Sequence, residues 1–259
     1  MESKNRKNII LITGASSGIG REFASQLDLL MYNTDEIWLV ARRQERMQEL
    51  AKLLEHPCRI VVMDVADNAE QLAFKRLLEK ENPKIKMLIN CAGFGLMGKF
   101  ESVAIDEQLA MLDINCRALT ELTYHCIPYM IKNSRIIQLA SSAAFLPQKG
   151  FAVYAATKSY VLSFSRALRE ELREKKIWVT AVCPGPVETE FFDIAEKYGE
   201  TLAIKKLTLT TSDKVVKEAL LDSYDRRAVS VCSFPIKAFR VMAKYVPHTV
   251  ILKGLNLIK

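Results

Sequence analysis

Tyr154 and Lys158 stand four residues apart in Tyr154-Ala-Ala-Thr-Lys158, at the opening of a stretch with helical patterning. Residues so spaced share a helix face, which puts a phenol and an ammonium on one side. A free phenol titrates near ~10, and an adjacent cation favours the phenolate and lowers that value. A phenol tuned in this way can hand a proton to a carbonyl oxygen, or take one from an alcohol. The spacing alone suits an ordinary surface pair equally well. Two neighbours in the sequence strengthen the chemical reading. Ser141-Ser142 follows the run Arg135–Ala140, and Asn90-Cys91-Ala92-Gly93 closes the run that begins at Met87. If both runs are strands of one sheet, hydroxyl and amide reach the same carboxyl-end crevice.

A second group has no acid–base chemistry and instead suits a phosphate. In Thr13-Gly14-Ala15-Ser16-Ser17-Gly18-Ile19-Gly20, three glycines have the spacing G-x-x-x-G-x-G between an apolar run and a helical one. Glycine is needed where a side chain would block a pyrophosphate or where φ must be positive. The helix that follows offers unpaired N–H groups and a partial positive charge. The alternative is a tight turn without ligand. Val40-Ala41-Arg42-Arg43 ends the next apolar run. An acidic residue there suits the ribose 2′-hydroxyl of NAD, whereas an arginine suits a 2′-phosphate. Ala41 takes the expected place of the acid, and Arg42 can pair bidentately with a phosphate. NADP is therefore favoured over NAD, against the alternative that both arginines are solvated helix-start residues.

These groups must be held by elements, and the pattern alternates. Strands are expected at Asn8–Thr13, Glu36–Ala41, Arg59–Met63, Met87–Asn90, Arg135–Ala140, Trp178–Val182 and Ala228–Val231. Helices are expected over Gly18–Leu30, Arg43–Glu55, Ala69–Lys80 behind a cap at Asp67 or Asn68, Asp106–Ile131 with a break near Pro128, Ala152–Lys175, and Asp213–Asp222 capped by Ser212. The near-continuous apolar strands suit burial on both faces. Regular βα alternation implies an α/β fold, a single doubly wound parallel sheet of about seven strands with helices on both faces.

The chain has 259 residues, nearly half of them hydrophobic and a quarter charged, as in ordinary globular proteins. No run approaches the roughly 18–20 apolar residues of a spanning helix, and the polar start followed by the short run Ile9–Ile12 lacks a signal-peptide core. A cytoplasmic protein is expected. The six cysteines, at 58, 91, 116, 126, 183 and 232, form no C-x-x-C pair, so reduced thiols and no metal site are expected. The net charge of +7 sits wholly in residues 226–259, which hold seven Lys and Arg and no Asp or Glu. The chain thus divides into a body over 1–232 and a basic amphipathic tail over 233–259. On a helix, Ile236, Phe239, Val241, Met242 and Val246 would cover one side, edged by Lys237, Arg240 and Lys244. Such a tail can pack on the body or a partner subunit, or lie on an anionic membrane surface as a peripheral contact. No nucleic-acid partner is expected, since no stacking aromatics or known module accompany the charge.

The body resembles the short-chain dehydrogenase/reductase (SDR) family. The resemblance rests on Thr13–Gly20, Asp64-Val65, Asn90–Gly93, Asn115 within Leu112-Asp113-Ile114-Asn115, Ser141-Ser142, Tyr154/Lys158 and Pro184-Gly185-Pro186, in family order over about 220 residues. It implies a Rossmann-like NAD(P)-binding catalytic domain. Tyr154 would be the general acid/base, Lys158 would lower its pKa and bind the nicotinamide ribose, and Asn115 would hold a relay water. Gly14, Ser16, Ser17, Gly18, Ile19 and Gly20 would form the phosphate turn, with Arg42 beside it. Asp64 and Val65 would face the adenine, and Asn90, Ala92 and Gly93 would lie along the cofactor. Pro184, Gly185, Val187 and Thr189 would line the nicotinamide side. A serine would bond the substrate oxygen. The family's acting serine is usually the second of the doublet and thirteen residues before the tyrosine. Here Ser142 is twelve before Tyr154 and Ser141 thirteen. Ser142 is chosen because Ala143-Ala144 follows it, with Ser141 as the alternative. Cys91 replaces the family's second asparagine. Homo-oligomers through 106–131 and 152–175 are also implied.

Substrate choice in such folds belongs to loops above the sheet edge. Phe191, Phe192, Ile194, Tyr198 and Leu202, with Phe94, Leu96, Met97 and Phe145, suggest a hydrophobic carbonyl or alcohol; some of them can simply be core. The expected activity is NADP-dependent interconversion of that pair. The alternatives are an inactive NADP-binding scaffold or sensor, and a protein whose main business is membrane docking by the tail.

Overall fold

The structure is a computed structural model that describes residues 6–31, 33–199 and 209–257, the last three by backbone alone. Seven parallel strands make one sheet in the order β3-β2-β1-β4-β5-β6-β7. They are β1 (Asn8–Thr13), β2 (Glu36–Ala41), β3 (Cys58–Val62), β4 (Lys84–Asn90), β5 (Met130–Leu139), β6 (Trp178–Val182) and β7 (Val229–Ser230). The helices are α1 (Gly18–Leu30), α2 (Gln44–Ala51), α3 (Asn68–Glu81), α4 (Ile105–Leu112), α5 (Leu119–Cys126), α6 (Ala152–Glu171), α7 (Phe191–Ala195), α8 (Ser212–Tyr224), α9 (Phe234–Tyr245) and α10 (His248–Leu257).

Alternation along β1 explains the layers. Ile10 and Ile12 pack with Phe23 and Leu27 of α1, Met47 of α2 and Val216 of α8. Ile9 and Leu11 face the other way, onto Phe74 and Leu78 of α3, Leu122 of α5 and Leu168 of α6. Successive side chains of a strand point to opposite faces, so an unbroken apolar run serves both layers. Because β1 lies between β2 and β4, the chain reverses its direction across the sheet there, and Thr13 pairs with Asn90 at the carboxyl ends of that pair. A crevice at this switch point is where such sheets take ligands.

Several boundaries differ from the sequence expectation for identifiable reasons. Helix α2 stops at Ala51 rather than Glu55, because the buried Asp28 carboxylate accepts the N–H groups of Glu55 and His56 at 2.8 and 2.9 Å. The long helix expected to Ile131 ends at Cys126; a single 3₁₀ turn over Ile127–Tyr129 contains Pro128, and Met130 already pairs with Ile85 of β4. Between α4 and α5 lies a π-helical segment, Asp113–Ala118. Ser212 lies inside α8, whose N-cap is Thr211, and α6 stops at Glu171 before Lys176 takes a positive φ of 56°. The Asp67 cap holds: its carboxylate accepts from Ala69 and Glu70.

The tail was expected to pack on the body or a partner, or to lie on a membrane surface, and one side of α9 packs on the body. Ile236 of α9 is buried with Leu119, Ala140, Val161, Cys183 and Val231. Phe239 meets Phe145 with ring centroids 6.3 Å apart. All six cysteines are free thiols, and no helix among the described residues is long and apolar enough to cross a membrane.

Candidate active site

The crevice at the switch point continues into a cleft of about 1990 Å³. One end is the turn between β1 and α1. Gly14 takes φ +67°, and a Cβ there would stand 2.8 Å from the Ala92 amide nitrogen. A Cβ on Gly20 would stand 2.3 Å from the Gly14 carbonyl oxygen. So the turn folds back on itself and against the end of β4, which only hydrogen side chains permit. Thr13 locks the contact, its Oγ1 accepting from the N–H groups of Cys91 and Ala92, both at 3.1 Å. No side chain caps the first turn of α1, since the Ser17 hydroxyl is engaged by Arg43 at 2.6 Å. The expected turn residues Gly14, Ser16, Ser17, Gly18, Ile19 and Gly20 all line this end, as do Arg42, Asp64 and Val65.

The two arginines divide their work differently from the expectation. Arg42 is 70% exposed and reaches Asp64 at 3.6 Å. Arg43 turns back over the glycine turn: its guanidinium donates to Ser16 Oγ at 3.2 and 3.1 Å and to Glu190 Oε2 at 2.9 Å. Arg46 also pairs with Glu190. Glu190, just past β6, is thereby tied to the start of α2 across the mouth. Sequence reading named Arg42 alone; the doublet was the signal, but which member faces the turn depends on how the chain leaves β2.

The other end holds Tyr154. It lies in the first turn of α6, 6% exposed, its ring stacked on Phe151 at 4.2 Å and near Phe191 at 5.5 Å. Gly95 lies flat against it, since a Cβ there would come 2.4 Å from a ring carbon. Of the two serines, Ser141 is the one whose hydroxyl acts on the phenol, drawing its pKa down. Ser142, the serine chosen on the sequence, is not among the groups that act on it. Ser142 opens a 3₁₀ turn and its N–H donates to the Pro184 carbonyl at 2.8 Å, while the Ser141 hydroxyl also accepts from Ala143 N–H as the cap of that turn. Both serines line the cleft, and Ser141 is the one that acts on the phenol.

Lys158 is one helical turn on and buried. Its Nζ donates to the Leu139 carbonyl at 2.8 Å and lies 5.6 Å from the Tyr154 ring centroid. Burial pushes its pKa down to about 8. Burial likewise pushes the Tyr154 phenol well above its ordinary value, with the Ser141 hydrogen bond pulling the other way. The expected lowering by Lys158 is not among the influences on the phenol here: desolvation of the buried ring dominates, and Cys183 adds to it.

Asn115 sits in the π-helical segment, and such bulges re-aim a side chain within a helix. Its Oδ1 accepts from Phe94 N–H at 3.1 Å, and its Nδ2 donates to the Phe94 carbonyl at 2.8 Å and to Thr157 Oγ1 at 3.0 Å. It holds the Gly93–Gly95 segment against α6 from behind rather than lining the cleft. Asn90 is also displaced from its expected place along the cofactor. Its Nδ2 donates to Thr123 Oγ1 and Gln138 Oε1, both at 2.9 Å, in a buried network behind β4. Ala92, Gly93, Pro184, Gly185, Val187 and Thr189 do line the cleft. The last group is pinned by a bridge from Val187 to Thr210.

Beyond Tyr154 the wall is apolar. Phe94, Met97, Phe145, Phe191, Phe192, Ile194 and Tyr198 line it as expected, while Leu96 is core behind them and Leu202 lies outside the described residues. Sequence reading missed that the tail joins this wall: Pro235, Ile236, Phe239 and Met242 of α9 and Leu252 of α10 face the same space. Among the described residues no cluster of His, Cys, Asp or Glu could hold a metal ion.

A switch-point crevice with a glycine turn at one end and a buried phenol, a serine and a buried lysine at the other defines an α/β oxidoreductase of the dinucleotide-binding class. The model of the short chain dehydrogenase family matches residues 8–198, and the chain belongs to that family. A serine 3-dehydrogenase of Agrobacterium fabrum is 35% identical over 187 residues, 70% of this chain and 73% of its own length. A sulfoacetaldehyde reductase of Chromohalobacter salexigens is 34% identical over 193 residues, 71% of this chain and 74% of its own. Among solved structures, a short-chain dehydrogenase from Sphingobium yanoikuyae in complex with NADPH superposes with a TM-score of 0.78 at 28% identity, over 96% of this chain and 94% of that one.

Proposed function

We propose that this oxidoreductase uses NADP to interconvert an apolar ketone or aldehyde and its alcohol. The observation that carries it is the placement of Tyr154, Ser141 and Lys158 at the foot of an apolar wall, in one cleft with the glycine turn. The glycine cradle and the uncapped N-terminus of α1 suit a pyrophosphate. Arg42 and Arg43 suit a 2′-phosphate, and the NADPH complex of the Sphingobium relative supports that choice. NADPH, when bound, supplies the hydride.

The chain's own residues do the rest. Tyr154 donates its hydroxyl proton to the carbonyl oxygen, and in the reverse direction accepts it. Ser141 donates a hydrogen bond to that same oxygen. Lys158, charged below about pH 8, offsets the negative charge that develops on the phenol oxygen. Both amide hydrogens of Asn115 are already used, so it serves as a positioning residue that holds Phe94 and Thr157, not as the holder of a relay water. The apolar wall favours a hydrophobic substrate over the small polar ones that the relatives' names print.

Self-association belongs to the same reading: Leu109 and Leu112 on α4, Tyr124 on α5 and Tyr160 on α6 leave apolar side chains exposed on the helices where partners are expected. So do a cytoplasmic location and a peripheral membrane contact through the tail.

The test follows NADPH absorbance against a panel of ketones and aldehydes, with wild type and Tyr154→Phe side by side. Removing a positioned general acid should lower turnover by about 10²–10⁴-fold. NADPH affinity, read by fluorescence titration, should stay within about twofold of wild type, because the phenol hydroxyl is not asked to bind phosphate. A Tyr154→Phe enzyme that turns over at the wild-type rate would overturn the assignment.

A further inference from the structure

Helices α9 and α10 lie beyond the stretch matched by the family model, yet they build part of the cleft wall. Helix α9 has four arcs rather than two. At about 3.6 residues per turn, Phe234, Ala238, Val241 and Tyr245 fall on one arc. Phe234, Val241 and Tyr245 are 81%, 57% and 73% exposed. Next round the helix come Pro235, Met242 and Phe239, which line the cleft. Ile236 and Ala243 follow, buried against the body. The fourth arc is Lys237, Arg240 and Lys244, all exposed. So the exposed apolar stripe is flanked by the cleft on one side and by cations on the other.

A stripe of this kind is expensive to leave in water. The charge around it says what covers it. Residues 233–259 contain five Lys and Arg and no acidic residue. Lys237 is neutralised internally by Glu218 at 2.9 Å, while Arg240, Lys244 and Lys253 are exposed cations. Lys244 Nζ lies 5.2 Å from the Tyr245 ring centroid, which puts a cation and an amphipathic ring at one level. That combination suits a boundary between anionic headgroups and acyl chains. On α10, Val250 is exposed while Leu252 faces the cleft, repeating the arrangement.

We propose that α9 and α10 rest on an anionic lipid bilayer, and that the cleft draws an apolar carbonyl or alcohol from that bilayer past the α9 edge. The substrate half of the statement rests on the carbonyl-reducing reading above; the docking half does not. Seating the stripe brings the Met242 and Phe239 arc to the lipid surface, so an acyl-type molecule can pass from one apolar medium into another without crossing water. The cationic arc fixes which membranes are used.

The full chain is incubated with vesicles of phosphatidylcholine and with vesicles containing about 30% phosphatidylglycerol, then centrifuged. Binding should favour the anionic vesicles by roughly tenfold or more and be lost in high salt. The double variant Val241→Asp/Tyr245→Asp should lose it, as should Arg240→Glu/Lys244→Glu. None of these side chains lines the cleft. NADPH oxidation with palmitaldehyde carried in the vesicles should fall in parallel, roughly tenfold, while oxidation with dissolved cyclohexanone stays unchanged.

Equal partitioning of wild type and Val241→Asp/Tyr245→Asp would overturn the docking. So would a wild type that ignores vesicles but loses a subunit contact in the double variant, which would make the stripe an interface between copies. Docking that persists while palmitaldehyde and cyclohexanone respond alike would overturn the delivery of substrate from the bilayer. If neither carbonyl consumes NADPH, the carbonyl reading fails and partitioning still decides the docking.

Discussion

The two halves of the cleft are built by opposite means. The cofactor half is made of backbone: Gly14 and Gly20 let the β1–α1 turn close on itself and on β4, and Thr13 bolts that turn to the Cys91 and Ala92 amides. The substrate half is made of side chains brought from far apart, Phe94 after β4, Phe145 after β5, Phe191 after β6 and Phe239 in the tail. A backbone cradle tolerates almost no change, because an added methyl meets peptide atoms that cannot move aside. A side-chain wall can be altered one residue at a time. One half therefore fixes the reaction class, and the other is free to change the substrate. Tyr154 and Ser141 stand at the seam.

The sharpest way to break this division is at the seam itself. Ser141→Ala removes the hydroxyl that bonds the phenol and should lower kcat by roughly 10²-fold, whereas Ser142→Ala should stay within about threefold. Steady-state kinetics of the two single variants separates them. A reversed order would return the role to Ser142 and would mean that the 3₁₀ turn over 142–145 shifts when substrate binds.

The Lys158 charge gives a second, stability-based test. Its folded-state pKa is about 8 against an ordinary value of 10.5, lowered by burial. Between those values the unfolded chain holds a proton that the folded chain lacks, so stability rises with pH across that window. Below about pH 8 both states are charged and the full cost of burial is present. Lys158→Met should therefore exceed wild type in stability below that pH, by at most about 3 kcal/mol, and the gap should close as pH rises toward 10.5. Denaturant midpoints at several pH values read it. A gap that widens with pH would mean that the lysine is held charged by a partner, not penalised by burial.

Besides the Thr13 hydroxyl, the cofactor half has an arginine pair, and it sharpens the comparison. Arg43 crosses from α2 to Ser16, Ser17 and Glu190, while Arg42 stays outside on Asp64. Arg43→Ala should raise the KM for NADPH about tenfold with little change for NADH, and Arg42→Ala should do less. Equal losses for both nucleotides would assign Arg43 to holding the turn and Arg42 to the 2′-phosphate.

What could be read in the sequence follows the same division. Gly14, Gly18 and Gly20 announce themselves because a backbone constraint is written as residue type, and Tyr154/Lys158 because a helix converts spacing into proximity. The layers of the sheet were legible because Ile9 to Ile12 must be buried on both sides. The choice between Ser141 and Ser142, and between Arg42 and Arg43, was not. Each pair leaves a strand, where neighbours point opposite ways, and one residue of slip exchanges their roles. Asn90 was misplaced for the same reason: as the last residue of β4 it faces inward to Gln138 and Thr123. The Asp106–Ile131 run overreached because Ile127 to Ile131 is apolar enough for helix or strand, and pairing with β4 decides it. The part of the tail in the wall was invisible, since nothing local tells Phe239 that Phe145 is opposite.

That pair carries the mildest test. Phe239→Ala opens the wall between α9 and the turn after β5, where the two rings lie 6.3 Å apart. Losing a partly exposed wall residue is worth about 1 kcal/mol to a bulky apolar substrate, so KM for such a ketone should rise roughly fivefold. A small ketone should be unaffected, and the Kd for NADPH should not move, because Phe239 meets Phe145 in the apolar wall. If NADPH affinity fell with the bulky ketone, the tail would be coupled to the backbone cradle. The wall would then not be free to vary alone, and changing the substrate in this protein would carry a cost in cofactor binding.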